Sequence, residues 1–227
     1  MTDQPFLLLR PHAAAFLSRL LRTIAGPLLL LTLPMTSHAI EEPDYTVVQQ
    51  LGEIEVREYA TYTVAEVVVP GPADAAGSAA FPILAGYIFG KNKGERKLAM
   101  TAPVTQSAEP VKPAPIKLEM TAPVTQSPTA GGYRVQFVLP KGVTAANAPE
   151  PLDTRVSLRD IAPNRVAVIR YSGFWTESNY TEHLARLRDA LRAANLPTTG
   201  EPVYSRYNAP FSLWFLRRNE IWLPLAG

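Results

Sequence analysis

Alternation of apolar and polar residues predicts strands along much of the chain. The run Ile54–Tyr59 alternates apolar residues with Glu and Arg, and it follows the β-rich run 45–51 across Gly52-Glu53. Strict alternation places the apolar side chains on one face of an extended segment. Two such runs joined by a short polar link are typical of a β-hairpin. The same reasoning predicts strands at 62–69, 133–139, 156–161, 165–171, 201–207 and 220–223.

One alternating segment occurs twice. Residues 97–107 and 117–127 differ at one position only, where Glu119 replaces Ala99. In both copies Leu, Met, Ala and Val occupy alternate positions, which predicts two strands with one apolar face each. The proline in each copy favours a sheet edge or a bend. This pattern places Met120 in the core, and the proline-containing stretch 107–115 is predicted to be the loop between the copies.

A helical period interrupts the strands in two places. Within 74–89, Phe81, Leu84, Ala85 and Ile88 recur at helical spacing and form one stripe. A proline at position 82 suggests that the ordered helix starts only a few residues before it, and 90–94 should end it.

The second helix is predicted to begin with Ser178 or Asn179 as its N-cap. Its buried stripe should contain Tyr180, Leu184, Leu187 and Leu191, and 195–197 should end it. A long surface connection is predicted at 141–154.

The order of elements predicts an α+β fold. Strands, a helix and strands occur twice, in pseudo-halves 40–130 and 131–227. We therefore expect one domain, 40–227, in which duplicated ββαββ-like halves form a distorted antiparallel β-barrel or sheet with two flanking α-helices.

The first 39 residues differ from the rest. Three arginines precede the apolar run 24–35, and Ser37-His38-Ala39 is a small-x-small triplet. This arrangement predicts a secretory signal peptide over 1–39 and hence a periplasmic or secreted protein. The alternative is an uncleaved N-terminal anchor that holds the protein on the membrane, facing the periplasm.

Composition narrows the classes of function. Removing 1–39 takes three of 22 basic and one of 20 acidic residues, so 19 of each remain and no basic stripe suggests nucleic acid. The chain has no cysteine, so disulfides and cysteine-based metal sites are excluded. His12 and His38 lie in the leader, which leaves His183 as the one histidine of the predicted mature chain.

Few residues suggest chemistry. The sequence has no G-x-S-x-G, phosphate-binding loop or H-E-x-x-H motif. His183 lies off the apolar stripe of its helix, so it is a weak candidate ligand for haem iron or, more simply, a boundary histidine. The polar cluster 217–220 (Arg-Arg-Asn-Glu) suggests either recognition of a ligand carboxylate or an internal Arg–Glu pair on a solvated turn.

Three separated motifs resemble one family. Residues 81–92 (FPILAGYIFGKN) followed by 100–104 (MTAPV) resemble the signature of the SOUL haem-binding proteins. The segment 207–222 (YNAPF, then RRNEIW) is similar to the C-terminal signature of that family. The motifs occur in the expected order and the resemblance covers approximately 44–223.

The resemblance implies a duplicated α+β fold that binds haem or a related tetrapyrrole reversibly and is not an enzyme. It implies an apolar groove beside the first helix as the site. It also implies haem as a ligand held without strong axial ligation, since the matching N-terminal region has no histidine after residue 38. The matching positions are Phe81, Leu84, Ala85, Tyr87 and Ile88, with Met100 nearby.

Two other functions remain open at this stage. The duplicated fold also resembles effector-binding domains, some relatives of which hydrolyse small molecules, and Glu119 is then the acid to consider. The chain could instead be an envelope protein-interaction module without a small ligand, using its proline-rich loops. Haem or a porphyrin-like molecule is the expected partner, nucleic acid is not, and contact with a membrane is expected only through an uncleaved N-terminal segment.

Overall fold

The protein forms an α+β fold built on one antiparallel sheet. The computed structural model describes residues 40–94, 114–208 and 212–226, all of which belong to one unit, Ile40–Gly227. The strands are β1 (Tyr45–Leu51), β2 (Ile54–Tyr59), β3 (Tyr62–Val69), β4 (Val124–Thr129), β5 (Gly132–Val138), β6 (Ser157–Ile161), β7 (Asn164–Tyr171), β8 (Val203–Arg206) and β9 (Asn219–Pro224). The helices are α1 (Ala73–Ile88) and α2 (Glu177–Ala193), and Trp214–Leu216 is a short 3-10 turn.

The strand order shows the duplication. The nine described strands pair as β1-β2-β7-β9-β8-β4-β5-β3-β6, with every pair antiparallel. In each half a helix is followed by two strands, and the later one inserts next to the strand before the helix. The two halves also exchange a strand, since β2 of the first half pairs with β7 of the second, and β6 of the second half pairs with β3 of the first. The central pair β4–β8 joins the halves.

The predicted α+β class with two helices and an antiparallel sheet is confirmed. The predicted division at residue 130 differs from the pairing, because β5 pairs with β3 and β4 of the first half. The duplication therefore divides after β5.

Each helix packs on its own half of the sheet. One buried cluster joins α1 to β3 and β5, through residues such as Leu84, Val67 and Phe137. A second joins α2 to β2, β7 and β9, through residues such as Leu187 and Ile221. The stripe predicted for α2 is confirmed, since its three leucines are buried and Tyr180 packs against them. Each buried leucine contributes about 1.5–3 kcal/mol relative to an exposed one.

The start of each helix differs from its prediction. The N-cap of α2 is Thr176, whose hydroxyl accepts a hydrogen bond from Asn179 N, so Ser178 and Asn179 lie inside the helix. Helix α1 begins at Ala73 and contains Pro82 in its interior. Pro82 and Ser78 are both exposed, so water can bond the Ser78 carbonyl that lacks its helical donor. Helix α1 ends as predicted, with Gly90 at a φ of 108°.

The second copy of the repeated segment is a strand only at its end. Strand β4 starts at Val124, and residues 114–123 belong to no strand. Leu118 N donates to Ile88 O and Ala122 N donates to Glu41 O, so the backbone bonds elements other than a neighbouring strand. Met120 is 40% exposed, so its predicted place in the core is wrong. The first copy, 97–107, lies outside the described residues.

A buried carboxylate organises the other face of the sheet. Glu220 on β9 accepts hydrogen bonds from Arg57 Nη1 and Nη2 (3.0 and 3.2 Å), Tyr207 Oη (2.6 Å), Trp222 Nε1 (2.8 Å), and Arg218 Nε and Nη2 (3.0 and 2.9 Å). Glu220 and Arg57 are only 1% and 3% exposed. The internal Arg–Glu pair considered for 217–220 therefore exists, but it lies in the core and not on a solvated turn.

Among the described residues, no helix combines the length and the apolar character needed to cross a membrane.

We expect Glu220→Gln to lower the free energy of unfolding by about 3–5 kcal/mol, because Arg57 and Arg218 would lose their buried counter-charge and keep only the partly exposed Glu55 and Glu42. Burial alone would raise the pKa of Glu220, but Arg57, then Tyr207 and Arg218, outweigh it and hold that pKa below its ordinary 4.5. A lowered folded-state pKa stabilises the fold at pH above 4.5, and this contribution is lost as the pH falls through the folded-state value. Urea unfolding at several pH values measures both effects.

Glu119→Gln, at an exposed carboxylate, is the matched control and should leave stability within about 0.5 kcal/mol of the original protein. An equally small change in Glu220→Gln would show that the buried network does not stabilise the fold.

Candidate functional site

A cleft lies where the two helices begin. It has a volume of about 640 Å³ and extends between the start of α1, the start of α2 and the central strand β8. This is within the range of small-molecule sites, roughly 300–1,000 Å³. Its described walls are formed by Pro72, Ala73, Asp74, Tyr133, Tyr171, Trp175, Thr176, Glu177, Tyr180, Tyr204, Ser205, Arg206 and Asn219.

Aromatic rings form most of the apolar wall. The rings of Tyr180 and Tyr204 stack with their centroids 3.9 Å apart. Tyr171 closes β7 and Tyr133 lies at the start of β5, so rings approach the cleft from both halves of the sheet. Trp175 is oriented by its Nε1, which donates to Asn219 Oδ1 at 2.6 Å. Such faces suit a flat, unsaturated ligand.

Two tyrosines of the cleft, Tyr171 and Tyr180, have raised pKa values and are neutral phenols at ordinary pH. Burial raises the pKa of Tyr171 to about 12, although the charge of Arg206 partly opposes the shift. Burial, together with the neighbouring Tyr204, also raises the pKa of Tyr180. These residues therefore offer ring faces and hydroxyl groups, and they resist forming the phenolate that would bind a metal ion.

Arg206 supplies positive charge inside this aromatic wall. Its guanidinium lies 4.6 Å from the centroid of the Trp175 ring. Within the described residues it has neither a hydrogen bond nor a carboxylate partner, and burial lowers its pKa. Arg206 is half-buried, and a cation that is partly removed from water without a counter-charge is costly to the fold. An anionic group of a ligand would remove that cost.

Two further polar groups near the cleft have incomplete hydrogen bonding. In the part of the chain that the structure describes, the hydroxyl of Tyr180 and Oε1 of Gln126 are buried without a well-formed hydrogen bond. Gln126 is held at the start of α1 by its Nε2, which donates to Ala73 O at 2.7 Å. Unsatisfied buried polar groups are rare in folded proteins, and a bound ligand is one way to satisfy them.

Gly77 makes room for the cation. A Cβ atom at this position of α1 would lie 2.6 Å from Arg206 Nη1 and 3.6 Å from Gln126 Oε1. The absence of a side chain therefore lets the guanidinium of β8 lie directly against the helix.

The structure places the residues predicted from α1 in the core and not on this wall. Leu84, Ala85, Tyr87 and Ile88 are at most 6% exposed and pack against β3 and β5. The hydroxyl of Tyr87 donates to Pro149 O at 2.9 Å. Phe81 is 43% exposed, and its ring centroid lies 5.8 Å from that of the buried Phe137 on β5.

Met100 lies outside the described residues. For Met100 and the five predicted residues of α1, a role as ligand contacts stays a prediction.

His183 lies close behind the cleft. Its ring stacks on Tyr171 at 4.4 Å, and its Nδ1 bonds Asn179 O at 2.7 Å. A carbonyl oxygen can only accept, so Nδ1 carries a proton, and Nε2 has a lone pair whenever the ring is neutral. His183 is not among the described residues that line the cleft.

Glu119, the acid considered for a hydrolase, is exposed and is not among the described residues that line the cleft.

Comparison with known proteins identifies the family. The model of the SOUL heme-binding protein family matches residues 40–224. The chain belongs to the SOUL family. This SOUL protein is 31% identical to heme-binding protein 2 of Homo sapiens over 194 residues, which cover 82% of this chain and 87% of that protein. It is 24% identical to heme-binding protein 1 of Mus musculus over 159 residues, which cover 70% and 76%.

The described fold also matches a solved hydrolase from Listeria innocua. The TM-score is 0.50 at 15% identity, and the match covers 77% of this chain and 92% of that one. At this identity the match shows a shared fold only.

Sequence reasoning missed the residues of the cleft. Tyr133, Tyr171, Tyr204 and Arg206 lie within predicted strands and Tyr180 within the predicted stripe of the second helix, and no pattern marks them as ligand contacts. The available signal was positional, since Tyr204 and Arg206 alternate on one face of β8 and Trp175 precedes a helix start. Only the pairing of β8 with β4 brings the two helix starts together.

We expect Arg206→Met to change the free energy of unfolding by less than about 1 kcal/mol or to increase it, because no carboxylate loses a partner. Arg57→Met is the matched comparison and should cost about 3–5 kcal/mol, since it leaves Glu220 buried beside one fewer cation. Urea unfolding of both variants measures the difference. Equal losses would mean that Arg206 serves the fold and is not held for a ligand.

Proposed function

We propose that this protein binds haem or a related tetrapyrrole reversibly, without catalysing its conversion, in the cleft between the starts of α1 and α2, after export to the cell envelope. The observation that carries the proposal is Arg206, half-buried within a wall of aromatic rings and unpaired in the described residues. Family membership supports the ligand class, because the relatives named above are heme-binding proteins.

The cleft fits the ring of a porphyrin. A porphyrin is flat, apolar over both faces and large, and the stacked pair Tyr180–Tyr204 with Trp175 offers flat apolar surface of the same kind. Binding would remove these ring faces from water, which favours association by about 25 cal/mol for each Å² of apolar surface buried.

The cleft also fits the carboxylate groups of haem. A guanidinium binds a carboxylate through two parallel hydrogen bonds, and such charge-assisted bonds contribute about 1.5–3 kcal/mol each. Arg206 has this capacity unused in the described residues. The hydroxyl of Tyr180 can donate to the same group.

The iron has no strong ligand on the described wall. The described residues that line the cleft include no histidine, cysteine or methionine, and the raised pKa values of Tyr171 and Tyr180 disfavour a phenolate ligand. His183 has a free Nε2, but Tyr171 is the residue of this pair that lines the cleft. Affinity should therefore come from the ring and the carboxylates, as expected for reversible binding.

Titration of the purified protein with haem should give a saturable Soret shift, and metal-free protoporphyrin should bind with similar affinity because the iron adds little. Tyr204→Leu and Arg206→Met should each weaken binding about tenfold, through lost stacking and lost charge. Tyr45→Leu, at a tyrosine 37% exposed on β1, is the control and should bind as the original protein does. His183→Ala should change the haem spectrum little.

Phe81→Ala distinguishes haem binding in the cleft from haem binding in the groove beside α1. If haem binds in the cleft, this variant keeps its affinity while Tyr204→Leu loses it. The opposite result would move the site to the groove beside α1. No Soret shift at micromolar haem would refute haem binding itself.

Export is supported by the leader alone. Three arginines, an apolar run and a small-x-small triplet are the three parts of a signal peptide. In bacterial expression with its own leader, the protein should appear in the periplasmic fraction with Ile40 as its first residue. Mass spectrometry measures this, and a membrane-bound chain that keeps residues 1–39 would identify the segment as an anchor.

A further inference from the structure

A second surface of the protein carries an unusual concentration of exposed apolar side chains. Leu213, Trp214, Phe215 and Leu216 are 58%, 49%, 53% and 66% exposed, and they follow one another around the 3-10 turn. Phe174, which is 54% exposed, stacks on Trp214 with the ring centroids 5.4 Å apart. We call Phe174 and Leu213–Leu216 the apolar ridge. Contiguous exposed apolar residues of this kind mark interaction sites.

Three backbone groups of the apolar ridge, Leu213 O, Trp214 O and Leu216 N, are hydrogen-bonded within the protein. Leu216 N donates to Leu213 O at 3.0 Å, and Arg217 N donates to Trp214 O at 3.3 Å. Gly173 N also donates to Trp214 O, at 3.1 Å. A backbone group that enters lipid without such a bond costs several kcal/mol. The turn can therefore lie at a bilayer surface without exposing these groups to lipid.

The charge beside the apolar ridge is positive. The guanidinium of Arg217 lies 5.8 Å from the Phe174 ring centroid and 4.6 Å from that of Trp175. The two segments that form the ridge, 172–176 and 212–218, contain no acidic residue. Tryptophan, phenylalanine and leucine next to arginine form the set that binds the interface of anionic bilayers.

We propose that the apolar ridge docks the protein onto an anionic lipid bilayer, with Leu213–Leu216 inserted at the level of the headgroups and Arg217 contacting lipid phosphates. The ridge adjoins the ligand cleft, because Trp175 lines that cleft and contacts both Arg206 and Arg217. Docking would thus hold the cleft next to the membrane, where flat apolar molecules collect. The proposal does not depend on haem binding.

The test uses the full chain and vesicles of phosphatidylcholine with or without phosphatidylglycerol. The readout is quenching of tryptophan fluorescence by brominated phospholipid, because the apolar run 24–35 could hold the chain on vesicles by itself without bringing Trp214 into the lipid. Of the three tryptophans, Trp222 is buried and Trp214 is on the ridge. Trp175 lies beside the ridge under Arg217, so Trp214→Phe should reduce the quenching to the part that Trp175 contributes.

Leu213→Ser combined with Leu216→Ser should weaken the quenching titration about tenfold or more, from the apolar surface it removes. Leu152→Ser is the matched control, since Leu152 is 57% exposed away from the ridge, and it should stay within about twofold of the original protein. Arg217→Gln should reduce the preference for phosphatidylglycerol, and added salt should have the same effect.

Absence of quenching on phosphatidylglycerol vesicles would overturn the proposal, even if the chain sediments with them, and would leave the ridge as a surface for a protein partner. Unchanged quenching in the double serine variant would overturn it as well.

Discussion

The fold depends on keeping one carboxylate charged in its interior. Glu220 lies on β9, and its donors come from β2, from the chain after β8 and from β9 itself. Six hydrogen bonds from four residues satisfy it, so its burial cost is offset only if all of these elements are in place. The network thereby links the hairpin strand at the start of the domain to the last strand, across β7. A buried charge of this kind contributes little net stability when complete, but any arrangement that separates its partners is strongly disfavoured.

The exchange of first strands between the halves explains why such a tie is useful. Because β2 pairs with β7 and β6 pairs with β3, neither half completes its sheet with its own residues. The pairing of β4 with β8 then brings the starts of α1 and α2 to the same side of the sheet centre. The cleft is a consequence of that junction, and its wall has contributions from both copies of the duplicated unit.

Arginines on the two faces of the sheet differ in their partners. Arg57 is matched by Glu220 within the core and serves the fold. Arg206 lies on the helix-covered face against Trp175 and Gly77, without a carboxylate in the described residues. A cation that the fold does not need and does not neutralise is the feature that an anionic, flat ligand would exploit. The guanidinium of Arg217 also contacts the ring of Trp175, beside the apolar ridge. The indole of Trp175 therefore lies between the proposed ligand site and the proposed membrane contact.

Most of the secondary structure, the existence of a duplication and the family can be predicted from the sequence, because these depend on local periodicity and on contiguous motifs. Strand alternation in β2 and β5 and the leucine stripe of α2 are examples. The family motif also pointed to the groove beside α1 as the ligand site. Periodicity shows that Leu84 and Ile88 share a face of the helix, but it does not show that the sheet packs against that face. Tertiary structure decided that this face is core, that Met120 is exposed and that Glu220 is buried. It alone assembled the cleft, since Tyr133, Tyr180 and Arg206 are far apart along the chain and meet only through the central strand pair β4–β8.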